Sequence, residues 1–238
     1  FQYKGLDKGF NSPINWTSPG GRWIRKVTDP ATSNDIVTDT FDVNGDGLPD
    51  LVDYDGYNAR WNIWLNTAKT GFASTNMQWG VPKWSIRDTN IYIQNQQAPD
   101  TKSLPIDINR DGYVDFLYAD GHSNINVMLN NGNGFVSAPD MLTNIRKVWM
   151  RNVQRPDGVA ANVEQDVFDM NGDGLPDIVE KIADYTWQVW RNTGSTFVDD
   201  GTWWVPHQTG WVEDFTRDSK LQVGHFDVNG DGLPDIVN

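Results

Sequence analysis

The sequence predicts an all-β chain of β-propeller blades, four antiparallel strands to a blade, in about four units of ~62 residues. Three observations carry this. An acidic stretch is written four times, at 41–52, 106–117, 168–179 and 226–237, as Asp-x-Asn-x-Asp-(Gly)-x-x-Asp between apolar pairs. Its first aspartates, Asp42, Asp107, Asp169 and Asp227, are spaced by 65, 62 and 58 residues. A second marker, Gly9-Phe10, Gly71-Phe72, Gly134-Phe135 and Thr196-Phe197, recurs independently at 62, 63 and 62. Finally, the short apolar runs alternate with period two, and no segment sustains a capped 3.6-residue period.

Each unit has the same order of elements. The apolar end of the acidic loop, Leu51-Val52 in the first copy, leads into a polar turn. A strand-like run follows: Trp61–Leu65 ending in Asn66-Thr67, Ile125–Leu129 ending in Asn130-Asn131, and Trp187–Trp190 reaching Asn192-Thr193. Aromatic and branched residues bounded by Gly, Asn and Asp suit a pleated, half-buried surface. After the Phe marker, runs holding Trp16, Trp79, Met141 and the Trp203-Trp204 pair are expected to be the outer strands. The connections 18–37, 82–102, 144–164 and 205–222 are where the units differ most, and variable connections on a rigid scaffold are where recognition usually sits.

The units run 10–71, 72–134, 135–196, and 197–238 together with 1–9, as one propeller or a propeller fragment. Phe1 aligns with Ile63 and Asn238 with Asp53, so both ends fall inside strands. That favours part of a larger propeller. The alternative is a four-unit ring in which residues 1–10 complete the blade begun by 223–238.

A chain of 238 residues at 38% hydrophobic can bury a sizeable core, and 12 Trp, 10 Phe and 7 Tyr supply much of its apolar mass. No apolar run approaches the ~18 residues that a membrane helix needs, so membrane insertion is not expected. A net charge of −13 argues against nucleic acid as a partner. Twelve aspartates lie in the four loops, and four divalent cations would leave about −5, so the acidity reads as demand for metal. With no cysteine there are neither disulfides nor thiolate sites.

The loop's chemistry is specific. Positions 1, 3, 5 and 9 are Asp42, Asn44, Asp46 and Asp50, then Asp107, Asn109, Asp111 and Asp115. The later copies give Asp169, Asn171, Asp173 and Asp177, and Asp227, Asn229, Asp231 and Asp235. Gly47, Gly112, Gly174 and Gly232 at position 6 allow the positive φ of a tight curl. Position 7, at Leu48, Tyr113, Leu175 and Leu233, is placed to offer a carbonyl. Three carboxylates, an amide oxygen, a carbonyl and water form the hard shell that Ca²⁺ takes, and up to four Ca²⁺ are expected. The third copy, with Glu180 at position 12, satisfies an EF-hand pattern. Its flanks are strand-like, and position 12 is Asp53, Tyr118 and Asn238 elsewhere, so the helix-flanked reading fails.

The stretch D-V-N-G-D-G-L-P-D-L-V, with N-T and G-F farther along each unit, resembles the FG-GAP/VCBS repeat of integrin-type propellers and many secreted bacterial proteins. The resemblance spans essentially the whole chain. It implies that the Ca²⁺ loop joins the first two strands of a blade, with positions 1, 3, 5, 7 (carbonyl) and 9 as ligands. It also implies that the variable connections lie on the opposite face. The second copy departs at Arg110, where the others have Gly, and at Val114, where they have Pro. The Arg110 cation is expected to weaken its own copy. The Trp-strand-Asn-Thr wording is also similar to propeller segments of Rhs-like proteins and of the B component of insecticidal toxin complexes.

No catalytic constellation is present. His122, His207 and His225 share no ligand spacing, and there is no nucleophile elbow, phosphate loop or H-E-x-x-H. The chain therefore reads as a non-enzyme: a secreted or cell-surface scaffold that binds a glycan or protein ligand. Ligand contact is expected from Trp84, Trp149, Arg151, Arg155 and Trp211, and from the Trp203-Trp204 pair. The alternatives are a shell segment of a large Rhs- or toxin-complex-like protein, or a non-catalytic part of a polysaccharide-degrading enzyme.

Overall fold

A computed structural model of the chain describes residues 16–28, 35–68, 71–82, 85–87, 89–90, 100–119, 125–142, 145, 152–154, 162–206, 210–215 and 221–237. The described residues are all-β, with two short 3-10 turns at Pro19–Gly21 and Pro139–Leu142. The first sheet orders β1 (Lys26–Val27), β2 (Ile36–Phe41), β3 (Asp50–Asp55), β4 (Arg60–Trp64) and β5 (Met77–Gly80) side by side. A two-stranded ribbon of β6 (Thr89–Asn90) and β7 (Asp100–Thr101) follows. The second sheet holds β8 (Ser103–Ile106), β9 (Asp115–Ala119), β10 (Ile125–Asn130) and β11 (Phe135–Ser137). The third holds β12 (Asn152–Gln154), β13 (Asn162–Phe168), β14 (Asp177–Ala183), β15 (Thr186–Asn192) and β16 (Phe197–Trp204). The fourth holds β17 (Asp214–Phe215), β18 (Leu221–Phe226) and β19 (Asp235–Val237). Every pairing is antiparallel between neighbours in sequence, as expected of meandering blades.

Two features differ from the sequence expectation. The connections are not wholly irregular: β1, β12 and β17 come from them and pair outside β2, β13 and β18, which makes a fifth strand in the first and third sheets. Met141 lies in a 3-10 turn instead of an outer strand. Pro139, its φ fixed at about −65°, opens the turn, and Met141 N donates to Ala138 O at 3.2 Å.

The acidic loops join β2 to β3, β8 to β9, β13 to β14 and β18 to β19. All four close on one register, in the pairs Phe41–Asp50, Ile106–Asp115, Phe168–Asp177 and Phe226–Asp235. Leu51 and Val52 point to opposite faces of β3, yet both are fully buried, as are Phe116 with Leu117 and Ile178 with Val179. A strand buried on both sides needs consecutive apolar residues. In the first three sheets the Asp-apolar-apolar wording therefore marks cover on both faces, whereas in the fourth Ile236 is half-buried and Val237 exposed.

The Phe marker locks neighbouring sheets together. Phe135 of the second sheet meets Trp61 and Trp79 of the first edge-on, at 5.1 and 5.5 Å, with Phe116 also 5.1 Å from Trp61. Each such pair is worth about 0.5–1.5 kcal/mol beyond its buried area. Between the second and third sheets the same seat is filled by Phe197, in a core with Ile108, Ile125, Met141 and Ile178. Between the third and fourth sheets the equivalent walls, Phe168, Met170, Trp187, Trp203, Val205 and Ile236, surround a cavity of about 90 Å³. By its register this cavity is an aromatic packing seat for Trp187 and Trp203, with the exposed Trp204 at its edge.

Candidate metal centre

The curl of each loop comes from left-handed backbone at positions 4 and 6. Position 6 is glycine throughout, with φ of 82° at Gly47, 87° at Gly112, 86° at Gly174 and 84° at Gly232. These turns aim the amides inward at the position-1 carboxylate. Asp42 Oδ1 accepts from Gly45 N (2.8 Å) and Asp46 N (3.2 Å), and its Oδ2 accepts from Gly47 N (2.6 Å). Asn44 Oδ1 accepts from Asp46 N, Asn44 Nδ2 donates to Asp46 Oδ2, and Leu48 N donates to Asp46 Oδ1. Asp169 and Asp227 collect amides in the same way. In the second loop the donors to Asp107 are Asp111 N and Gly112 N.

The position-9 aspartate is a different kind of residue. Asp50, Asp115 and Asp177 are fully buried. One oxygen of each accepts from the position-2 amide: Val43 at 3.1 Å, Ile108 at 3.0 Å and Met170 at 3.0 Å. The other accepts from the amide of the strand asparagine: Asn66 at 2.8 Å, and Asn130 and Asn192 at 2.7 Å. This carboxylate therefore ties the loop to the end of the strand that follows its hairpin, β4, β10 or β15. In the fourth sheet Asp235, half-buried, accepts only the first of these bonds, from Val228 N at 3.0 Å, among the described residues.

Burial pushes each of the three buried carboxyls up to about 6; the position-5 and position-1 carboxylates add to the rise, and the two amide bonds offset part of it. A folded-state pKa above the unfolded value gives stability that is full below 3.8 and is lost as pH rises through about 6. Metal-free protein is therefore expected to melt higher at pH 5 than at pH 7.5. With a cation bound, the ionised form is favoured and the trend reverses. Thermal melts across this window, in chelator and in Ca²⁺, check both signs. A metal-free melting temperature that climbs with pH would contradict the first. Asp55, whose carboxyl is held below the usual range first by Asn58, acts only at lower pH.

The strand asparagine joins neighbouring loops. Asn130 Nδ2 donates to Val43 O of the first loop (2.7 Å) and Val114 O of the second (3.1 Å). Asn192 Nδ2 does the same between Ile108 O (2.7 Å) and Pro176 O (3.2 Å). Both asparagines are buried, at 1% and 0% exposure, so removing the amide leaves carbonyls with no water to replace it. Asn192→Ala is expected to cost about 2–4 kcal/mol, read as a lower urea midpoint. Asn192→Asp should cost at least as much, since it turns an acceptor toward two carbonyls.

Each predicted ligand set lies within one loop that joins two antiparallel strands. Among the described residues, no three acidic or imidazole side chains are gathered on one centre, because positions 1 and 5 face the loop's own amides. The donor chemistry still fits a hard cation. All side-chain oxygens come from one nine-residue turn, and Asp42 and Asp46 lie close enough to disfavour the charge of Asp50. Asp42, Asn44, Asp46 and Asp50 with Leu48 O, and their counterparts, would hold Ca²⁺; a carboxylate oxygen accepting one amide keeps a lone pair for metal.

Sequence reasoning missed the buried lock at position 9 and the bridging asparagines, although the recurrent Asn of Asn-Thr was its visible trace. Arg110 was placed on the wrong loop. Its guanidinium donates from Nη1 to Asp173 O of the third loop, 63 residues on.

The connections reach the end of the sheets away from the loops, as Ile36 N donates to Arg87 O and Val163 N to Glu213 O. Of the expected ligand contacts, Trp84, Trp149, Arg151 and Arg155 lie outside the described residues. Trp211 is half-buried, with Lys181 Nζ 4.9 Å above its ring. Trp203 packs in the core of the third sheet, whereas Trp204 is 72% exposed and lies parallel to Tyr185, with ring centroids 6.5 Å apart.

Residues 107–180, spanning the second and third loops, match the FG-GAP-like repeat. Among solved structures, the chain is similar to an Agrocybe aegerita lectin described through its specific recognition of non-reducing terminal N-acetylglucosamine. The TM-score is 0.53 and the identity 21%, over 91% of this chain and 48% of the lectin chain. This chain thus spans about half the length of that structure, and the likeness is one of fold. No curated protein matches the sequence.

Proposed function

We propose that the chain is a non-catalytic propeller segment, clasped by Ca²⁺ at its acidic loops, whose loop-distal end binds a glycan. The observation that carries this reading is the Trp204–Tyr185 pair. Tyr185 sits in the turn between β14 and β15, and Trp204 ends β16, so both stand at the end of the third sheet away from the loop. Their rings are within 3° of parallel, and both are exposed. A flat, rigid aromatic platform offers a face on which the apolar side of a sugar ring can stack, at low entropic cost. The equivalent turn of the first sheet also presents a tyrosine, Tyr57, 94% exposed, with Gly80 where the third sheet has Trp204. The likeness to a lectin supports the same class of ligand. Among the described residues, no helix is long and apolar enough to cross a membrane. A secreted or surface location is part of this reading, since extracellular Ca²⁺ modules work at about 10⁻⁴–10⁻³ M Ca²⁺.

A glycan array with the Ca²⁺-loaded chain tests this reading, followed by titration of the best glycan against Trp204→Ala. An exposed side chain contributes little to folding, so the variant should melt with the parent while its affinity falls at least about tenfold. An array without glycan signal, or full binding by Trp204→Ala, would remove this reading.

A further inference from the structure

Position 4 of each of the first three loops leans on the next loop. A Cβ on Gly45 would lie 3.3 Å from Gly112 O and 3.1 Å from the Tyr113 ring. One on Gly172 would lie 2.9 Å from Gly232 O. Glycine at position 4 thus fits the contact between successive loops as well as the left-handed turn. The second loop breaks the pattern with Arg110, which keeps the left-handed φ of 61° without glycine's freedom to adopt it. Its side chain crosses to the third loop. Nη1 donates to Asp173 O, and Arg110 Cζ lies 2.6 Å from where a Cβ on Gly174 would stand. Asp173 and Gly174 are positions 5 and 6 of that loop, so a full positive charge rests on the rim of its oxygen cluster.

We infer that Arg110 is a tethered cation that sets the third loop apart from the others, lowering its affinity for Ca²⁺ while leaving its own loop unaffected. The inference rests on the calcium reading above. A unit charge several ångströms from a divalent ion in a largely solvated setting weakens binding by about three- to tenfold at low salt, and by less as salt rises. The consequence is graded filling, with the third loop filling only as Ca²⁺ climbs past the level that fills its neighbours. Arg110 contributes no ligand atom and acts through charge alone.

The test is a Ca²⁺ titration of ¹⁵N-labelled, chelator-stripped chain at low salt. The amides of Gly47, Gly112, Gly174 and Gly232 report the four loops separately. In the parent, Gly174 should respond at about three- to tenfold higher Ca²⁺ than the others. In Arg110→Gly, and equally in Arg110→Gln, which keeps reach and hydrogen-bonding without the charge, Gly174 should move into line with them. The difference should shrink in about 0.5 M NaCl. Three outcomes overturn the inference: Gly112 shifting its midpoint in place of Gly174, no change at Gly174 in either variant, or a rise in Arg110→Gly alone. If no loop glycine responds to Ca²⁺ at any concentration, the calcium reading itself has failed and the inference falls with it. That result is distinct from four titrating loops indifferent to Arg110.

Discussion

Chelation should lower the melting temperature of this chain by about 10 °C or more. A ligand that binds only the folded state at a hundred times its Kd adds about 2.7 kcal/mol per site. In a chain of this size each kcal/mol moves the midpoint by about 2–4 °C. One filled loop is then worth about 5–10 °C, and the chain has four candidates. Without metal, each loop holds three carboxylates within nine residues, and Asp50, Asp115 and Asp177 are already disfavoured as charges by burial and by their two neighbours. Excess EDTA should expose that cost, and Ca²⁺ added back should restore the midpoint. Mg²⁺ should restore less, since it prefers a tighter shell with more water. A melting temperature indifferent to EDTA would mean that the amide bonds within the loops suffice without an ion.

The strand plan and the loops were legible because their physics is local. Period-two alternation, Gly at position 6 and the Asp-apolar-apolar wording each fix structure within a few residues, and four copies multiply the signal. What could not be read depends on the neighbouring sheet. Asn130 and Arg110 reach residues 87 and 63 positions away in sequence. Nothing local announces that an asparagine after a strand bridges two carbonyls of different loops, or that an arginine in one loop serves the next. Met141 was misplaced for a related reason. Its periodic position matches Trp79, but Pro139 two residues earlier overrides the period, its φ fixed at about −65° turning the chain out of the strand. Tryptophan was ambiguous throughout: Trp61 and Trp187 are core and Trp204 is surface, and only burial separates them.

Asp115→Ala should cost about 2–6 kcal/mol with and without Ca²⁺, and this separates two roles that the sequence merges. As one of three acidic ligands, a position-9 aspartate would matter only when metal is bound. As the buried lock seen here, it also holds Ile108 N at 3.0 Å and Asn130 N at 2.7 Å inside the sheet. Deleting it strands two amides away from water, at about 1–3 kcal/mol each. Relief of the buried charge offsets part of that above about pH 6, so the loss in EDTA should be larger at pH 5 than at pH 7.5. Asp107→Ala is the control. Asp107 sits at position 1 of the same loop, where its amide partners Asp111 N and Gly112 N are exposed to water. Its loss should therefore be small in EDTA and large in Ca²⁺. Urea midpoints of the two variants, each measured in chelator and in Ca²⁺, give four numbers with a fixed order. If Asp115→Ala melts with the parent in EDTA, position 9 is a ligand and no lock. If Asp107→Ala is unchanged in Ca²⁺, the loop carries no ion and its aspartates serve only the turn.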